Sequence, residues 1–76
     1  MNLAELPIDA VAVITSIPQS DDITLKLLEN GLVPNSKIMM AHKAPFNGPV
    51  AILLHGTKIA LPFQLAQQII VKTPTE

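Results

Sequence analysis

The 76-residue sequence has no cysteine, tryptophan, tyrosine or arginine, and its only aromatics are two phenylalanines. Each absence removes a class of function. Without cysteine there is no disulfide framework and no thiolate zinc site. Without arginine, and with five lysines against six acidic residues for a net charge of −1, a nucleic-acid module loses its usual reader of phosphate and guanine. The three glycines stand apart from one another, so no glycine-rich phosphate loop exists. Charged residues make up only 14%. Long apolar runs are missing too. The longest, residues 10–14 and 50–54, have five residues each, against roughly 20 for a membrane-spanning helix. The first seven residues carry neither the basic start nor the apolar core of a signal peptide. The expectation is a soluble chain that reaches a membrane only through a partner.

What is present is apolar bulk. Hydrophobic residues make up 49% of the chain, and 24 residues are Ile, Leu or Val. That density excludes a disordered tail, and the length predicts a single domain over residues 1–76.

The pattern along the chain predicts a strand over residues 10–17, ended by Pro18. Ser20, Asp21 and Asp22 then offer capping oxygens to a helix over residues 22–30. Gly31 suits the left-handed position after that helix, with Leu32 placed to touch Leu27. Residues 33–36 read as a turn, Pro34 at its second position and Asn35 at its third. Residues 37–44 alternate, with Ile38, Met40 and His42 assigned to one face and Lys37, Met39 and Lys43 to the other. Residues 45–49 break the pattern and residues 50–54 resume it. Leu54-His55-Gly56-Thr57 predicts a tight hairpin, followed by a strand over 58–61, a helical turn over 62–67 and a last strand over 69–72, with a frayed tail after it. Five short strands bury little as a flat sheet, so curling is expected. The predicted fold is mainly β: a small five-stranded SH3-like barrel with one short α-helix after the first strand and a short helical turn before the last.

Three segments carry a family resemblance. Residues 25–38, with Asn30-Gly31 and Val33-Pro34-Asn35-Ser36, are similar to the helix-and-turn signature of the bacterial ferrous iron transport protein A family, FeoA. Residues 44–52 resemble that family's alanine–proline loop and the apolar strand after it. Residues 56–61, with Ala66 and Ile69-Ile70-Val71, are similar to its closing segment. Asn35 stands where the family usually has Gly, and Leu25 and Pro62 stand where basic residues are frequent. The resemblance implies an SH3-like barrel in the bacterial cytoplasm, peripheral to the inner membrane through its partner. It implies a non-catalytic accessory protein that docks on the cytosolic GTPase domain of the FeoB-type ferrous iron transporter. Two alternatives stay open: a small ferrous- or transition-metal-binding protein, and a free-standing relative of the SH3-like domain of iron-dependent repressors.

The residues themselves offer few sites. No nucleophile–base–orienter set is recognisable, so no enzyme is expected, and no cofactor motif is found. His42 and His55 are the only imidazoles. A hairpin tip at Phe46-Asn47 puts His42 opposite Ala51 and His55 opposite Ile38, about 13 Å apart along a strand at 3.3 Å per residue. That is too far for one metal ion. Asp21 and Asp22 are read as helix caps, and no metal site is assigned. On the helix, Ile23, Leu27 and Leu28 share an arc while Leu25 falls at its far edge beside Glu29. Leu25 either covers the barrel end or meets a partner, with Lys26 beside it. Phe46, in a loop between Pro45 and Pro49, either folds over the barrel mouth or anchors a partner. Phe63 is expected to plug the barrel under its helical turn. The candidate docking residues are therefore Leu25, Lys26, Pro45 and Phe46. With no Trp or Tyr, SH3-type capture of proline-rich peptides is excluded. The high apolar content also allows for a homo-oligomer.

Overall fold

Pro18, Pro34, Pro45, Pro49 and Pro62 stand between the predicted strands and His55-Gly56 makes the remaining break, so the chain is cut into short strands. The computed structural model describes residues 1–18, 22, 25, 28, 29 and 31–73. Among these, a 3-10 turn over Leu3–Glu5 precedes β1 (Val11–Ser16), β2 (Lys37–Lys43), β3 (Val50–Leu54), β4 (Thr57–Leu61), the helix α1 (Phe63–Gln68) and β5 (Ile70–Lys72). The strands form one sheet in the order β4-β3-β2-β1-β5, with every neighbouring pair antiparallel. Asp22, Leu25, Leu28 and Glu29 are helical, where the helix is expected. Its capping by Ser20 and Asp21, the contact with Leu27, and the tail over 74–76 lie outside the described residues.

Alternation builds the core. Ala12 and Ile14 of β1, Ile38 and Met40 of β2, Ile52 and Leu54 of β3, Leu61 of β4 and Val71 of β5 are all buried in one cluster. The sheet therefore wraps around its own side chains. Its principal extents, 29 × 28 × 23 Å, are those of a rounded body and far from a layer one sheet thick.

The expected turns form for the expected reasons. Gly31 has φ +85°, and its amide donates to the Leu28 carbonyl at 3.0 Å. Asn35 has φ +76°, and the Ser36 amide donates to the Val33 carbonyl at 3.0 Å. The Asn35 amide in turn donates to the Ile14 carbonyl, which ties this turn to β1. His55 and Gly56 are both left-handed, φ +51° and +81°, a type I′ geometry that suits the twist of the β3–β4 hairpin.

Four features differ from the sequence expectation. The short helical element before the last strand is present, but as the six residues Phe63–Gln68, one residue later than the expected 62–67. Phe63 is only half-buried; Ala66, Leu3, Leu6 and Ile69 fill that end instead, each with no exposed surface. The first residues are structural: the Leu3 amide donates to the Ile69 carbonyl at 2.8 Å and the Val71 amide to the Met1 carbonyl at 2.9 Å, so the N-terminal segment lies along the outer edge of β5. Finally, the β2–β3 register slips between Met40 and His42. This bulge at Ala41 leaves His42 opposite Ala51, as expected, but turns it to the outside, away from Ile38 and Met40. Below the slip Met39 faces Leu53, so Ile38 is carried into register with Leu54 and not with His55.

Candidate interaction surface

Pro45 fixes the entry of the β2–β3 connection, and Gly48 fixes its exit. The Gly48 amide donates to the Pro45 carbonyl at 3.1 Å and the Ala44 amide to the Pro49 carbonyl at 3.0 Å. Between them Phe46 and Asn47 have φ +58° and +59°, the left-handed pair of a type I′ turn. A Cβ on residue 48 would meet the Ala44 Cβ at 2.7 Å, so the tight return at this point requires glycine. Asn is at ease in this region of backbone space, and a phenylalanine is not. The turn nevertheless holds Phe46 at its tip with the residue 99% exposed. It does not fold over the barrel mouth.

Leu25 does not cover the barrel end either. It is 58% exposed and Leu28 is 46% exposed. Lys26 lies outside the described residues. The helical residues lead into Gly31, which approaches the Leu54 side chain, whereas Phe46 follows the far ends of β2 and β3, where Lys43 pairs with Val50. The structure thus brings Pro45 and Phe46 together in one turn. It puts that turn at the opposite end of the β2–β3 pair from the Gly31 junction.

The two imidazoles stay apart: His42 is on β2 and His55 in the β3–β4 turn. Among the described residues no group of three or more His, Cys, Asp or Glu is gathered as a metal site would need. No helix among them is long and apolar enough to cross a membrane.

One surface escapes a reading that looks only for single odd residues. Val11 pairs with Met39, Met39 with Leu53 and Leu53 with Lys58. Directly paired residues share a face, and this face is opposite to the core. The signal is in the sequence: residues 10–14 and 50–54 are apolar at every position, which makes both faces of a strand apolar.

Comparison with known proteins decides the family. A family model, the FeoA domain, matches residues 1–73. The chain belongs to the FeoA family. That family is tied to ferrous iron transport, and its fold is SH3-like. The FeoA protein of Chlorobium tepidum is 26% identical, with 97% of this chain and 70% of that one covered and a TM-score of 0.90. The FeoA of Stenotrophomonas maltophilia, solved with zinc and characterised as a procaryotic SH3 domain protein, is 30% identical over 95% of this chain and 89% of that one, with a TM-score of 0.80. IdeR of T. acidophilum is 30% identical over 96% of this chain but only 33% of its own, with a TM-score of 0.83. A search of curated protein sequences finds no match.

Proposed function

We propose that this chain is a non-catalytic accessory protein of ferrous iron uptake that docks on the cytosolic part of a FeoB-type transporter, as a single cytoplasmic domain held at the membrane only by that partner. Family membership supports the iron-transport setting. One observation carries the docking: Phe46 is 99% exposed while held in left-handed backbone at φ +58°. Bulky residues leave that region unless something holds them there, and sparsely populated conformations gather at functional sites. An exposed aromatic on a stiff turn is a preorganised anchor for a partner pocket. Pro45 supports that anchor. Leu25, with Leu28 beside it on the helical segment, supplies a second apolar contact.

Co-purification with the transporter's cytosolic GTPase domain tests the reading. The wild-type chain is retained, and Phe46→Ser and Leu25→Ser chains, folded as judged by circular dichroism, are retained less. Equal retention of all three, or no retention of the wild type, overturns it. The metal-carrier alternative draws less support, because the described acidic and imidazole groups are scattered.

A further inference from the structure

The outward face of the sheet is the anomaly that the turn and helix surfaces leave unexplained. A solvent face of a small barrel is ordinarily polar, with apolar residues confined to the inside of each strand. Here the row Val11, Met39, Leu53 crosses three strands in direct register, and all three residues are half-buried and so still reachable. At about 4.8 Å between strands the row is about 10 Å long, close to the width of an α-helix. Val13 extends it, paired with Lys37 on one side and Lys72 on the other. Leu53 is paired with Lys58. Those three lysines are exposed and enclose the apolar row on three strands. Among the described residues, none of the five strands carries an Asp or Glu. The nearest carboxylate along β1 is Asp9, two residues before Val11. A chain of net charge −1 thus presents a locally cationic face with an apolar centre.

We infer that this face docks an amphipathic helical segment of a partner protein, apolar along one side and flanked by Asp or Glu. An apolar centre inside a charged rim is the anatomy of a protein interface, and the rim selects an acidic partner. A second copy of the chain is disfavoured as the occupant, since two lysine-rimmed faces repel each other. A lipid surface is disfavoured because the face lacks the aromatic residues that sit at a membrane boundary. The inference does not rest on the transporter reading; it names the chemistry of the occupant, and either can fail alone.

The probe is a synthetic helix-forming peptide of about 18 residues, five turns, with Leu on one side and Glu flanking it; a control carries Lys in place of Glu. Titration into the isotope-labelled chain is followed by amide chemical shifts. The Glu peptide is expected to bind saturably, with the largest shifts at Val11, Val13, Met39 and Leu53. The Lys peptide leaves them unmoved. Binding falls about tenfold in the Lys37→Glu/Lys58→Glu double variant and again on raising the salt. It also falls about tenfold in Met39→Ser, which removes the centre but keeps the rim. Thermal unfolding checks that the variants fold, and the double variant changes only exposed side chains. Absence of saturation, equal binding of the Lys peptide, or shifts centred on Phe46 or Leu25 overturns the inference. So does concentration-dependent self-association through this face without peptide, or binding of vesicles of phosphatidylcholine and phosphatidylglycerol in place of the peptide.

Discussion

Gly31 stands against Leu54: a Cβ built on residue 31 would lie 3.3 Å from the Leu54 Cδ2. The helical residues and the end of β3 meet there, and φ +85° is closed to most side chains. Gly31→Ala is expected to destabilise the chain by about 1–2 kcal/mol, from the left-handed cost alone. Urea unfolding measures it, and an unchanged midpoint refutes this account of the junction.

Phe46 gives the opposite sign. Its left-handed backbone costs about 1 kcal/mol, and the side chain is 99% exposed, so nothing buried repays it. Phe46→Asn should raise stability by up to about 1 kcal/mol, since Asn accepts positive φ. The same variant should bind the transporter's cytosolic domain more weakly. Thermal unfolding beside co-purification shows whether the two effects move in opposite directions, as a stability–function trade-off requires.

Gly48→Ala probes the same turn through its backbone. The 2.7 Å approach to the Ala44 Cβ cannot be absorbed by a flexible side-chain tip, so the turn must open. A loss of about 1–3 kcal/mol, the range for overpacking, is expected with weaker docking. Phe46 itself stays in place chemically, so weaker docking by Gly48→Ala would assign the effect to its presentation.

Leu3→Ala tests whether the N-terminal segment belongs to the core. Leu3 has no exposed surface, and truncating a buried leucine costs about 2–5 kcal/mol. A surface substitution stays within about 0.5 kcal/mol. Denaturant midpoints separate the two outcomes cleanly.

How legible this was in the sequence depended on range. Gly31, Asn35 and Gly56 announce their turns because positive φ is a local demand with few residues able to meet it. The strands announce themselves through short apolar or alternating runs between prolines or, for β3 and β4, on either side of His55-Gly56. The bulge at Ala41 had no such mark: Ile38, Met40 and His42 alternate cleanly on paper, and only the pairing with β3 reveals the slip. Phe63 misled for a related reason. Its size suggested a plug, but the space at that end is filled by Leu3 and Leu6, some sixty residues away in sequence. The docking candidates Leu25 and Phe46 stood out as apolar residues in the wrong places. The Val11–Met39–Leu53 row did not, because none of its members is odd by itself and their neighbourhood exists only in the register.

The Met1 carbonyl accepts the Val71 amide, and that bond has a practical side. An affinity tag or fluorescent fusion joined ahead of Met1 would emerge directly beside β5, where even a short stiff extension would pull on the strand it leaves. A label there needs a long, pliant spacer before any binding measured with it can be taken as that of the native chain.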